Sequence, residues 1–448
     1  MQKNKKELTQ KNILINNYIL STNTDPEILS DLTHEKIKIR NDISYVEDLI
    51  SNSISEVKKV NNPISITEIY NKLSFDEAFL LITPDYFEDQ HLVYIIDTQG
   101  FVTFNTNISK SEVGNLSNSI RKSLTVSEHG LLNSFDFDAS NSLYNGIFKE
   151  AIAYIENESP YIKSIKYSTF GPLQSIPLGL LTTSKKNETF LIDKYDFALL
   201  PSANSLRHLK KPKITSKSNF VGFGNSNFTG QRFASTRGIT LIDNSNLGLH
   251  TKIKKFSPLP DTEREILSIS SLFDGDRNNI YLGKNSNEKK FKETSFKNID
   301  VVAIATHGVQ SESFLNLDES ALLLPFNINE NLDKYDGAIL ASEIQDMNFD
   351  AEIVLLSACN TAYGDKDYSE ILSGLTASFF NAGAKSLLVS NWAIDSKTTT
   401  DFTSRVFENL INQKSLSPSR ALRNAMISTR EEGYKHPFYW ASLTYAGR

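Results

Sequence analysis

A parallel β-sheet with helices packed on both faces is the architecture predicted for residues 211–448, and two patterns predict it. The first is a set of short, continuous apolar runs: Phe220-Val-Gly-Phe-Gly224, Val301-Val-Ala-Ile-Ala-Thr306, Ile353-Val-Leu-Leu-Ser-Ala-Cys359 and Lys385-Ser-Leu-Leu-Val-Ser390. Runs without alternation are what a strand needs when both of its faces are covered. The second is that helix-spaced segments lie between them, at 262–273, 288–296 and 371–381, the last stopped by Gly383. Strand and helix in alternation build a parallel sheet.

The elements before this region are predicted in chain order. Residues 1–62 are polar and helical in pattern, with Ile39, Ile43, Val46, Ile50, Ile54 and Val57 drawing one apolar stripe. That stripe packs against a neighbouring domain or docks a partner. Asp25-Pro26 reads as a helix N-cap followed by a first-turn proline. No internal repeat of convincing period is present, so any helical repeats that accompany the protein are expected on another chain or were lost. Residues 63–210 are mixed α/β. Ala78-Phe-Leu-Leu-Ile-Thr83, Leu92-Val-Tyr-Ile-Ile96 and Phe101-Val-Thr-Phe104 form a meander or hairpin turned at Pro84-Asp85 and Gly100. A helix follows over 142–155, and Ile162-Lys-Ser-Ile-Lys-Tyr-Ser-Thr169 alternates like a half-buried strand. Gly171-Pro172 and Ile176-Pro177 punctuate the chain after it. The basic stretch Lys210-Lys-Pro-Lys-Ile-Thr-Ser-Lys217 is the candidate linker, which divides the chain at 1–62, 63–210 and 211–448.

Composition excludes several functions. A net charge of −6 with no basic stripe offers no electrostatic attraction to nucleic acid or to an anionic membrane. No apolar stretch approaches the roughly 18 residues of a membrane span, and Met1-Gln-Lys-Asn-Lys-Lys-Glu-Leu lacks a signal-peptide core. With one cysteine and no targeting segment, a reducing cytoplasm is the expected compartment.

That single cysteine, Cys359, ends a strand, and so does His307 52 residues earlier. A lone thiol is an inert core residue, a metal ligand short of partners, or a nucleophile. The separation is close to the His-to-Cys spacing of about 50 residues in caspase-type proteases. An imidazole beside a thiol favours the thiolate, the reactive form. In open α/β sheets ligands bind beyond the carboxyl ends of the strands, where both residues fall. Gly308 lacks a side chain, so its N–H is able to approach an oxyanion together with the N–H of Cys359. The other histidines, His34, His91, His129, His208, His250 and His436, form no metal-binding spacing, so no metal is expected. The acidic run Asp365-Lys-Asp-Tyr-Ser-Glu370 reads as a solvated loop or as a gate over the thiol, and Tyr439 and Trp440 read as core.

Taken together, Ala305-Thr-His-Gly308, Leu356-Ser-Ala-Cys-Asn-Thr361, Ala382-Gly-Ala384, Ser390-Asn-Trp392 and His436-Pro-Phe-Tyr-Trp-Ala441 resemble the signatures of CHAT domains, relatives of caspases and separases. The resemblance extends upstream through Leu259-Pro-Asp-Thr-Glu-Arg-Glu265 and Gly171-Pro-Leu-Gln-Ser-Ile-Pro177 to Leu200-Pro-Ser202, over roughly 65–448. It implies a catalytically dead, pseudo-caspase-like first lobe and a caspase-like second lobe in which His307 is the general base and Cys359 the nucleophile. It also implies a cysteine endopeptidase without a cofactor, acting in bacterial defence or programmed cell death on a partner such as a gasdermin-like pore former, under a helical-repeat or sensor partner. The family often places an acid four residues after the tryptophan of Ser390-Asn-Trp392; here that position is Ser396, with Asp395 one place earlier. Trp392, Asp395 and Ser396 are therefore the candidate substrate pocket, and a small or apolar P1 residue is expected. The alternatives are a non-catalytic scaffold and a protease latent until a partner binds.

Overall fold

A computed structural model describes residues 63–85, 87–127, 131–186, 188–207, 212–230, 249–309, 315, 317, 319–325, 335–358, 374–392, 396–413 and 416–447, without the side chains of 250, 396 and 397. The chain divides into two compact units, Met1–Ser65 and Ile66–Arg448. The predicted N-terminal helices, with the Ile39 to Val57 stripe and Asp25-Pro26, lie outside the described residues.

Each apolar run is a strand. In chain order they are β1 (Glu77–Pro84), β2 (His91–Ile96), β3 (Phe101–Asn105), β4 (Ser164–Ser168), the small hairpin β5 (Thr182–Ser184) and β6 (Thr189–Phe190), β7 (Asp196–Leu199), β8 (Phe220–Gly224), β9 (Asn278–Leu282), β10 (Val301–Ala305), β11 (His307–Val309), β12 (Ala321–Leu323), β13 (Ala338–Leu340), β14 (Ile353–Ser357), β15 (Ser386–Ser390) and β16 (Leu443–Gly447). Eleven of them form one sheet in the order β3-β2-β1-β4-β7-β16-β15-β14-β10-β8-β9. β1, β4, β7 and β16 are mutually parallel, and so are β15, β14, β10, β8 and β9. The two sets meet antiparallel at β15 and β16, so the parallel sheet expected from the sequence is present and β16 joins it in the opposite direction. The predicted meander is present as β1-β2-β3.

Steps from β8 to β9 and from β9 to β10 run in opposite directions along the sheet, so right-handed connections put the intervening helices on opposite faces. On one face the helix Asp261–Ser270 packs against the helix Ser396–Asn412, with Phe273 against both Phe220 and Phe407. On the other, Phe291, Phe296, Phe349 and Phe379 form a continuous aromatic contact between the helices Glu288–Glu293 and Gly374–Asn381. Gly224 permits the first of these packings: a Cβ there would stand 2.8 Å from the Thr262 carbonyl oxygen. Gly383 ends the second helix at φ +112°, as its sequence position predicts.

β4 is buried along its whole length rather than on alternate residues. Its polar side chains have partners in the interior. Lys166 pairs with Glu77 at 2.5 Å, and Ser164 Oγ donates to the Asp196 carboxylate. Alternation in sequence therefore reports satisfied polar groups here, not a solvent face. Trp440 is fully buried, as expected, and its Nε1 donates to the Lys435 carbonyl at 3.0 Å.

Candidate active site

His307 is held by its own short strand. Beyond β10, Thr306 Oγ1 donates to the Leu323 carbonyl at 2.5 Å, and β11 then pairs antiparallel with β12, His307 opposite Leu323 and Gly308 opposite Leu322. The β12–β13 pair is braced from below. Glu288 accepts from the Gly337 N–H at 2.6 Å, and its own N–H donates to the Leu324 carbonyl. Lys292 bridges Glu288 and Glu343 at 2.5 and 2.6 Å. Burial pushes the Glu288 carboxyl up to about 7, against the opposing pull of Lys292 and the Gly337 N–H. On Lys292, burial works to lower the pKa, but its bonds to Glu288 and Glu343 prevail and raise it.

The imidazole of His307 is only 1% exposed. Phe228 meets it edge-on at 4.7 Å and Phe256 lies tilted against it at 5.1 Å. These two rings belong to a second, smaller core with Ile253, Leu259, Val309 and Leu323. Nε2 lies 2.9 Å from the Ser257 carbonyl oxygen. A carbonyl only accepts, so Nε2 carries the hydrogen, and in the neutral ring Nδ1 is the basic nitrogen.

β14 lies beside β10 in register, with Ala305 opposite Ser357. The two strands are followed by Thr306-His307 and by Ala358-Cys359, so each candidate residue is the second after an opposed pair. Cys359 itself lies outside the described residues, as do Asp395 and the acidic loop 365–370. Ala358 is buried, and its carbonyl accepts from Ser390 Oγ, which also reaches the Leu356 carbonyl at 3.3 Å. The end of β15 is thus stitched to the end of β14.

Asn391 and Trp392 follow directly. The Asn391 N–H donates to the Ser442 carbonyl at 2.9 Å, its Nδ2 donates to the Ala441 carbonyl at 2.8 Å, and its Oδ1 accepts from Thr444 Oγ1 at 2.9 Å. Trp392 is 3% exposed, and its Nε1 donates to the Phe438 carbonyl at 3.0 Å. The Ser390-Asn-Trp392 and His436-to-Ala441 segments, distant in sequence, are one hydrogen-bonded unit. Ser396 opens the helix Ser396–Asn412. Gly308 is buried within β11. The structure therefore brings His307, Gly308 and the approach to Cys359 to the carboxyl ends of two adjacent strands, with Trp392 just beyond the end of the strand next to β14.

Several residues of this region carried no signal in the sequence. Ser257 acts through its backbone, and Phe228 and Phe256 lie in no periodic segment. Glu288 stood in a predicted helix where an exposed acid is ordinary. Arg121, whose Nη1 donates to the Asn391 carbonyl at 2.8 Å, comes from the other half of the sheet. Among the described residues, no group of three His, Cys, Asp or Glu side chains is placed to hold a metal ion, and no helix is long and apolar enough to cross a membrane.

Comparison with known proteins adds to this geometry. The sequence profile of the CHAT domain matches residues 138–448. Tetratricopeptide repeat protein 28 of Mus musculus is 24% identical over 310 residues, covering 62% of this chain and 12% of the relative, and the Homo sapiens protein gives the same figures. The chain thus spans about an eighth of these curated relatives. Among solved structures, the Saccharomyces cerevisiae separase–securin complex is similar with a TM-score of 0.53 at 12% identity, covering 95% of this chain and 34% of the matched one. That is a likeness of fold.

Proposed function

The chain belongs to the CHAT domain family, and from that premise we propose that it is a cytoplasmic cysteine endopeptidase acting on a partner protein through His307 and Cys359. The observation that carries the reading is the setting of His307, whose Nε2–H is engaged by the Ser257 carbonyl so that Nδ1 is the base, at the end of a strand in register with the one leading to Cys359. The similarity in fold to separase supports it.

The thiol proton passes to His307 Nδ1 as Sγ attacks the scissile carbonyl carbon. The oxyanion is met by the N–H groups of Gly308 and Cys359, and loss of one such donor costs about 2.7–4 kcal/mol of barrier. Collapse of the tetrahedral intermediate breaks the C–N bond, with His307 returning the proton to the leaving amine. Water, deprotonated by the same nitrogen, then hydrolyses the thioester and restores the thiol. The Ser257 carbonyl stabilises the imidazolium present between the two transfers. No cofactor enters the scheme. With serine at 396, where the family often places an acid, we propose a small or apolar P1 side chain beside Trp392. The kinship with a protein named for tetratricopeptide repeats supports control by a helical-repeat partner.

The test is incubation of the full chain with candidate partners, a gasdermin-like pore former among them, beside Cys359→Ala and His307→Ala, with sequencing of each new N-terminus. Cleavage lost by at least about 10³-fold in both variants supports the dyad. A wild type that cuts nothing while binding its partner supports a scaffold instead, and strict cleavage after Arg or Lys overturns the P1 assignment.

A further inference from the structure

Arg121 lies in the last turn of the helix Lys110–Ser123, in the half of the sheet that holds neither His307 nor Cys359. Its Nη1 donates to the Asn391 carbonyl at 2.8 Å, and its guanidinium carbon stands 5.8 Å from the ring centroid of Trp392. We propose that Arg121 is a positioning residue for the substrate-binding wall, holding the Asn391–Trp392 turn where β15 leaves the sheet. The inference deepens the protease reading and rests on it.

Three observations converge on this role. The N–H and side chain of Asn391 and the indole N–H of Trp392 are all bonded to 438–444, the segment that leads into β16. The Asn391 carbonyl is the group that turns toward the helix Lys110–Ser123, and a guanidinium meets it with a charge-assisted bond. Trp is also the ring that attracts a cation most strongly, and a planar fork is able to donate to a carbonyl while lying over a ring, which an ammonium does less well. Next, Ser390 Oγ holds the Leu356 and Ala358 carbonyls, so the residue just before Asn391 is tied to the residue just before Cys359. A displaced Asn391 is therefore felt at the nucleophile's neighbour. Finally, Arg121 is not among the residues that bury the helix. Val113, Ser117, Ile120 and Ser123 make its buried face, and Lys122 already supplies a cation to its C-terminal end.

The experiment compares full-length wild type, Arg121→Ala and Arg121→Lys by the alkylation rate of Cys359 with iodoacetamide and with a peptidyl chloromethyl ketone, and by acrylamide quenching of tryptophan fluorescence. The small reagent reports the thiol; the peptidyl one also needs the wall. In Arg121→Ala the ratio of peptidyl to iodoacetamide rates should fall by roughly tenfold to a hundredfold, with the iodoacetamide rate within about twofold of wild type, and Arg121→Lys should recover part of the ratio. Quenching should rise as Trp392 loosens. An unchanged ratio overturns the proposal, and so does an equal fall with both reagents together with a lowered melting temperature, which marks a merely structural residue. If the wild-type thiol reacts with iodoacetamide but with no peptidyl reagent, the protease reading fails on its own, and quenching decides for Arg121: no change in Arg121→Ala overturns its positioning role.

Discussion

At the scale of single residues, burial decides chemistry. Glu288 is a carboxyl whose proton is held more tightly in the folded protein than in the unfolded chain, at about 7 against an ordinary 4.5. The stabilisation linked to that proton is fully present below the unfolded value and is lost as pH rises through the folded one. The wild type should therefore lose stability between about pH 4.5 and pH 7 from this group, and Glu288→Gln should lose less across that interval. Melting temperatures of both proteins at pH 5 and pH 8 check it; parallel pH profiles would refute the assignment. The consequence is local to the site, because Glu288 braces the β12–β13 pair on which the His307 strand is laid.

At the scale of elements, the strands were legible because both-face burial leaves continuous apolar runs, and β8, β10, β14 and β15 fall within them. The helix stop at Gly383 was legible for a different reason. Its φ of +112° suits glycine, and a Cβ there would lie 2.3 Å from the Phe349 carbonyl oxygen. Gly383→Ala should cost about 1–3 kcal/mol from backbone strain alone, with the clash adding to it, and a urea midpoint measures the loss. A cost below about 0.5 kcal/mol would show that the turn relaxes freely. What stayed illegible is what depends on a distant partner. β4 looked half-buried because nothing local announces that Lys166 meets Glu77 or that Ser164 meets Asp196. His307 and Gly308 were readable as the end of a strand, whereas the Ser257 carbonyl and the Phe228 and Phe256 rings depend on how the chain returns.

At the scale of the whole described molecule, the sheet is joined at its centre by its last strand. β16 pairs with β15 on one side and with β7 on the other. The helix Pro418–Glu431, two elements before it, reinforces the junction. Arg420 reaches Asp196 and Asp76 at 3.0 and 3.2 Å, Arg423 donates to the Ile192 and Asp193 carbonyls, and Arg430 pairs with Asp193. Deleting 443–448 removes a strand whose five residues are buried, so the two half-sheets should lose their common transition. Calorimetry should then show a broadened or split melt in place of one peak. A single sharp peak at the wild-type temperature would refute the coupling. No local pattern in the sequence predicts this placement, since a short apolar run at a chain end reads the same at an edge as in the middle.

The central position of β16 also sets an order in time. Every other strand of the sheet leaves the ribosome before it, so the nascent chain carries two unjoined half-sheets, and the turn at Asn391 waits for Ala441, Ser442 and Thr444 to arrive. Until β16 is made, the Asn391 turn lacks these partners, so its completion is among the late steps in building the sheet.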